Sequence, residues 1–449
     1  MQKSYLWVVA IAVGFIFQHS LLAEEFKVYF GNLHSHTKFS DGSGTPAEAY
    51  RHARHVAKLD FLAITEHSHA AAEEGAGERA DGILIATNHS LYTDLLQTVA
   101  SEETENGKFV ALFGQEFSSI SQGNHANVFA VPNVIEVPNG KFDKLIRQWL
   151  PNNLDSTGKL AVVQFNHPAL FDNDQKEYGA DDFGSAADWI AEMGKVASLI
   201  EVLNGPAMAK TGGHRAAEVM EEDFLHYLNM GFHLAPTGDQ DNHYFTWGTT
   251  TDARTGVVLD ELTRPKLLEA LRNRRTYATE DKNLRIVFKI NGHMLGERVP
   301  APAANAPLKV TLSVHDDDEP NASYDVDLLG DAIGGSDVAE VLLSDSFDGN
   351  KDEIQIFTLP YPAEPNAQYF FLRIKQHPAD GNAGVADRVW TAPIWFEPSN
   401  GNSAPAIETF VASRRSGVYH VSDRCLDAQR ITLQNRISGA AAKEGRQKH

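Results

Sequence analysis

Between Phe26 and about Asp281 the chain repeats one device: a short apolar stretch that reads as a buried strand stops at His, Glu or Asp. The stretch Phe26-Lys27-Val28-Tyr29-Phe30 runs into Gly31-Asn32-Leu33-His34-Ser35-His36, followed by Asp41-Gly42. Asp60 to Thr65 ends in Glu66-His67, and Phe109 to Phe113 ends in Gly114-Gln115-Glu116. Gly123-Asn124-His125 leads into the apolar Asn127 to Val131, and Leu160 to Phe165 ends in Asn166-His167-Pro168. His233 to Thr237 runs into Gly238-Asp239-Gln240-Asp241-Asn242-His243. Between these strands, and the further one at Ser198 to Leu203, lie helix candidates. Thr45-Pro46-Ala47-Glu48 opens one with a capping box and a proline in the first turn. Others are Ile83 to Glu103, Phe142 to Leu150, Ala186 to Gly194, His214 to Met230 and Arg264 to Asn273. Strands alternating with helices predict an α/β fold on a parallel sheet, open or closed into a barrel.

That fold has a chemical consequence. The carboxyl ends of parallel barrel strands open on one face, so ligand-type residues at successive strand ends gather at one mouth. In a strand, residues i and i+2 point the same way, so His34 and His36 present two imidazoles to one point. Neutral imidazole and carboxylate together suit Zn, Mn or Fe. A single His after a strand is more often a hydrogen-bonded loop residue. Six segments in phase with the strands argue for metal binding. His52, His55, His69 and His89 lie off this pattern and read as surface or loop residues.

Past Leu284 the pattern changes to short alternating strands, such as Leu284 to Ile290, Leu308 to Val314 and Tyr369 to Ile374, parted by Pro-, Gly- and Asp-rich turns. This predicts a β-sandwich over 284–398, after an α/β unit over 24–283. Its acidic loops, Asp316 to Glu319 and Asp345 to Glu353, lack EF-hand spacing and read as solvated turns. Residues 399–449 read as a linker and a small module or tail carrying Cys425, the sole cysteine. Residues 1–23 read as a secretory signal, with Lys3, an apolar run from Tyr5 to Phe17 and Ala23 before Glu24. A periplasmic or secreted protein, with no membrane attachment after cleavage, is the expectation. Lys plus Arg 39 against Asp plus Glu 60 gives a net charge of −21. No basic stripe offsets it, which disfavours nucleic acid as a partner and favours a small-molecule substrate.

The ordered set of His-x-His with Ser-Asp-Gly, an acidic-His pair, Gly-x-Glu, an isolated His, Asn-His-Pro and Asp-x-His resembles the PHP (polymerase and histidinol phosphatase) superfamily. The resemblance spans Tyr29 to about Thr279, including Arg275-Thr276-Tyr277-Ala278-Thr279. The appended sandwich, with Trp390-Thr391-Ala392-Pro393-Ile394-Trp395, is similar to exported branches that include carbamate-hydrolase-like members. Membership implies a distorted seven-stranded (β/α) barrel holding two or three divalent ions. Carried over, His34, His36, Glu116 and Asp241 would hold one ion, with Glu116 bridging to a second held by His125 and His167. Asp41, His67 and His243 would hold a third. The catalytic work would fall on Glu116, Asp241 and His243. Glu66, where the family usually has Asp, would orient a neighbouring ligand, and Asp239 competes with Asp241 for the ligand role. Asn166, Glu201 and Asn204 would support ligands or touch substrate. The implied activity is metal-dependent hydrolysis of small phosphoesters, with carbamate, ester or amide hydrolysis as the alternative. A nuclease and an inactive binding or scaffold protein stand further back.

Overall fold

The computed structural model describes residues 26–68, 85, 88–118, 124–168, 177–210, 213–216, 218–335, 339–363, 367–379 and 385–398, with backbone strands at 411–413, 418–419, 436–438 and 447–448. The expected signal segment, His69 and Cys425 lie outside the described residues. The fold is mixed α/β. Its first ten strands are β1 (Lys27–Asn32), β2 (Phe61–His67), β3 (Val110–Phe117), β4 (Ala126–Phe129), β5 (Val163–Phe165), β6 (Ala197–Asn204), β7 (Glu218–Val219), β8 (Ala235–Gly238), β9 (Arg254–Leu259) and β10 (Thr276–Thr279).

The sheet is not all parallel. β1, β2 and β3 pair in parallel, as do β5, β6 and β8. β4 is inserted antiparallel between β3 and β5, and β9 and β10 extend the other edge antiparallel. The link 118–125 is too short for a parallel crossover, which needs a dozen or more residues, so the chain folds back as a hairpin. β9 and β10 were not anticipated as strands, although Asp260-Glu261 and Glu280-Asp281 follow them directly.

The sheet curls until β8 lies beside β9 and β10. Among the described residues no backbone ladder joins them. The seam is made by polar groups instead: Gly238 N–H donates to Thr255 Oγ1 at 2.9 Å, Thr276 Oγ1 donates to Pro236 O at 2.9 Å, and Asn32 Nδ2 donates to Gly238 O at 3.1 Å. Strand residues on both faces of this sheet, such as Leu62, Ile64, Val110, Leu112, Leu199 and Ile200, are fully buried.

The first helix, α1 (Pro46–His55), starts as expected, with Thr45 Oγ1 accepting from Glu48 N at 3.2 Å and Glu48 Oε2 accepting from Thr45 N at 2.8 Å. The helix expected from His214 begins only at Glu221 and ends at Met230. Upstream, Glu218–Val219 pairs with Leu203–Asn204, and His214 is drawn away between Asp252 and Asp387.

The second half adds β11 (Arg285–Ile290), β12 (His293–Met294), β13 (Arg298–Pro300), β14 (Pro307–His315), β15 (Ser323–Ala332), β16 (Glu340–Asp348), β17 (Lys351–Pro360), β18 (Gln368–His377), β19 (Asp387–Thr391) and β20 (Ile394–Glu397). β12, β11, β14 and β17 form a separate sheet in that order. The other strands continue the large sheet, because β10 pairs with β19 through Tyr277↔Thr391, Ala278↔Trp390 and Thr279↔Val389. Alternation places Ile286, Phe288 and Ile290 in the same core as Val326, Leu328 and Ile374. Asp316 departs from the solvated-turn expectation: it is buried and accepts from Asp318 N, Glu319 N and the Asn283 and Gln376 side-chain amides. No helix among the described residues is long and apolar enough to cross a membrane.

Asp60, where the chain enters β2, carries a testable cost. Burial pushes its carboxyl up to about 6, although the Phe30 N–H, 2.8 Å from Oδ2, pulls the other way. A folded value above the ordinary carboxylate value favours folding at low pH, and that contribution is lost as pH rises through about 6. Asp60→Asn keeps the acceptor for Phe30. It is expected to exceed the wild type in stability by about 3 kcal/mol near neutral pH, with the gap closing toward pH ~4. Urea melts across this range measure it; a gap independent of pH would contradict the assignment.

Candidate metal centre

The ends of β1, β2, β3, β5 and β8, the turn after β1 and the segment before β4 build the site. His34 and His36 follow β1, where His36 N–H donates to Asn242 O at 2.8 Å and ties this segment to the loop after β8. The turn carrying Asp41 closes through Gly42 N–H to Thr37 O at 3.0 Å and is pinned by Ser43 N–H to His243 O at 2.8 Å. Gly42 is required there, since a Cβ would stand 2.6 Å from the His36 carbonyl carbon. His67 ends β2 directly opposite Glu116 of β3 in the ladder. His125 precedes β4, His167 follows β5, and Asp241 and His243 follow β8. Asp241 (φ 48°) and His167 (φ 26°) hold left-handed backbone conformations that non-glycine residues adopt at a cost.

Glu116 is the hub. Its Oε1 lies 3.1 Å from His34 Nε2, 2.8 Å from His125 Nδ1 and 3.3 Å from His167 Nε2. Its Oε2 lies 2.9 Å from His67 Nδ1 and 3.4 Å from His36 Nε2. Asp241 Oδ1 stands 3.1 Å from Nε2 of both His34 and His36. Asp41 Oδ1 stands 3.2 Å from His243 Nε2 and 3.5 Å from His67 Nε2. All nine expected ligands therefore converge. Three groupings have ligand atoms within 4.8 Å of one another: His36, Asp41, His67 and His243; His34, His36 and Glu116; and His67, Glu116 and His125. His36 and His67 each belong to two groupings, whereas the sequence pattern gave each to one.

The donor set fits divalent ions. Asp41 Oδ1, Glu116 Oε2, Asp241 Oδ1 and His243 Nε2 are buried and, among the described residues, meet no hydrogen-bond partner of good geometry, yet all face ligand-type atoms. Buried polar atoms are costly unless something satisfies them, and a cation among carboxylates and imidazoles does so. Without an ion the electrostatics are strongly perturbed. Burial opposes charging His34, but the Asp241, Glu116 and Glu201 carboxylates outweigh it and hold its pKa well above the ordinary value. His67 is likewise raised, by Glu116 and Asp41 against burial. Burial, with His243 and His67 nearby, pushes His36 down to about 3. The surrounding imidazoles hold Asp41, Glu116 and Asp241 low despite burial.

A buried polar layer supports these ligands. Glu66 accepts from Thr37 N at 3.1 Å and from the Thr37 and Ser40 hydroxyls, and Ser40 Oγ lies 3.3 Å from His36 Nδ1. Glu66 thus orients His36 through Ser40, while burial pushes its own carboxyl up to about 7. Asn166 Nδ2 donates to Glu116 Oε1 at 2.8 Å. Glu201 Oε1 lies 2.8 Å from His34 Nδ1, and Asn204 Nδ2 donates to the other oxygen of Glu201. Glu201 and Asn204 are buried beneath the ligands, a supporting position, and not at an open surface. Asp239 turns away from the imidazoles, taking Leu33 N–H at 2.5 Å and Gln164 Nε2 at 3.2 Å, which leaves Asp241 at the ligand position.

Three contributors were absent from the sequence reading: Ser40, Gln164 and Trp247, whose Nε1 donates to His36 O at 3.0 Å. Gln164 sits two residues before Asn166 on one strand, so its shared face was the available signal. His52 stands apart at Thr249, and His89 lies 3.8 Å from the exposed Glu136. Compared with known proteins, the chain matches no family model and no curated protein.

Proposed function

We propose that this chain is an exported metal-dependent hydrolase of PHP type that acts on small phosphoesters. The observation that carries the reading is the hub geometry, in which one buried carboxylate reaches five imidazoles that arrive from four separate segments. His34, His36, Glu116 and Asp241 would hold one divalent ion, Glu116, His125 and His167 a second, and Asp41, His67 and His243 a third. Bound ions of this kind lower the pKa of water toward ~7 and stabilise negative charge developing on a phosphoryl oxygen. The chain's own groups do the rest. Glu116 spaces the sites, Glu66 through Ser40 fixes His36, and the Gly42 turn holds Asp41 at the edge, where its side chain is 24% exposed and nearest to incoming substrate.

The net charge of −21 opposes approach of a long polyanion, so duplex DNA is a poor substrate on this reading. The test compares rates on an aryl phosphate, an aryl carbamate and plasmid DNA after reloading with Zn, Mn or Fe. The aryl phosphate is expected to turn over fastest. Turnover of the carbamate alone would overturn the phosphoester assignment, and plasmid cleavage without turnover of either small substrate would point to a nuclease.

A further inference from the structure

We propose that Glu201 is a positioning residue which, through one carboxylate, sets the tautomer of His34 and the backbone placement of His167. The proposal rests on the metal-centre reading above.

Glu201 lies in β6 and is fully buried. Its Oε1 is 2.8 Å from His34 Nδ1, and Gln164 Nε2 adds a second donor to the same oxygen at 3.3 Å. Its Oε2 accepts the His167 backbone N–H and Asn204 Nδ2. An ionised carboxylate only accepts, so His34 must carry a proton on Nδ1. Nε2 is then the nitrogen that faces Glu116 Oε1 and Asp241 Oδ1, each 3.1 Å away, and the one left to ligate an ion that displaces its proton. The hydrogen bond made by one ring nitrogen thus decides what the other can ligate. On its second oxygen the same carboxylate holds His167 at φ 26°, a conformation the local chain disfavours. Glu201 therefore links the ligand sets on both sides of the Glu116 hub.

This double role explains why a carboxylate and not an amide occupies the position. In Glu201→Gln, one end of the side chain accepts and the other donates. If the oxygen faces His34, the NH2 meets the His167 N–H and the Asn204 NH2. If the amide turns over, it offers N–H to His34 Nδ1 and drives the proton to Nε2, where a metal would bind. Either orientation compromises one ligand.

The experiment titrates the metal-stripped full chain with Co2+ alone and follows the visible d–d bands, wild type against Glu201→Gln, with circular dichroism as a fold check. The wild type is expected to take up at least two equivalents. Glu201→Gln is expected to bind one of them at least ~10-fold more weakly, with altered bands, while remaining folded. Unchanged affinity and unchanged bands in the variant would overturn the proposal. If the variant does not fold, long-range 1H–15N NMR of the zinc-loaded wild type decides: His34 protonated on Nδ1 supports the role, and protonation on Nε2 overturns it. A wild type that takes up no cobalt brings down the metal-centre reading itself, and the positioning role with it.

Discussion

Glu116→Gln is expected to lose bound metal and hydrolysis together, with turnover of an aryl phosphate falling by more than about 100-fold. Removing a group that merely orients a ligand typically costs 10–100-fold, and on the proposed reading Glu116 would be the shared ligand itself. The substitution removes charge from a carboxylate whose two oxygens lie within 3.4 Å of His34, His36, His67, His125 and His167. His67→Asn is expected to cost less, because Asp41 and His243 still face one another at 3.2 Å. The loss will not stay within one ion position, since His67 touches both Glu116 and Asp41. Turnover and metal content per chain, measured on both variants, check the ranking. Equal losses with unchanged metal in both would contradict it.

The ligand set was legible because it sits at strand ends. A strand that stops at His67 or Asn166-His167 announces its polar terminus by contrast with the apolar run before it, and the shared direction of β1, β2, β3, β5 and β8 brings those termini to one face. The pairing pattern was less legible. The β4 hairpin depends on a short link and the β9 and β10 edge on partners distant in sequence, neither of which periodicity records. The boundary placed near Leu284 was read from residue alternation alone. It could not show that β10 and β19 share a ladder, because that pairing joins residues more than a hundred positions apart. The supporting layer was partly visible. Glu66 and Glu201 stood next to ligands or a strand end, whereas Ser40 and Gln164 act through contacts that exist only once the chain has folded.

Removing metal should destabilise the protein measurably. The Asp241, Glu116 and Asp41 carboxylates raise the pKa of His34 and His67 against burial, and a cation in the same place would feel the same attraction. An ion that binds only the folded state at about a thousand times its dissociation constant stabilises by about 4 kcal/mol. For a chain of this size that is a rise in Tm on the order of 5 °C. Thermal melts of chelator-treated protein, before and after adding Zn or Mn, measure it. Identical melts would show that the cluster gains nothing from an ion.

The central claim is that nine residues at the strand ends form one multinuclear metal centre, and elemental analysis tests it most directly. Protein purified without chelator and dialysed against metal-free buffer is predicted to retain at least two equivalents of transition metal per chain, falling below one in Glu116→Gln. No bound metal in the wild type, and no uptake when Zn, Mn or Fe is supplied, would contradict the account.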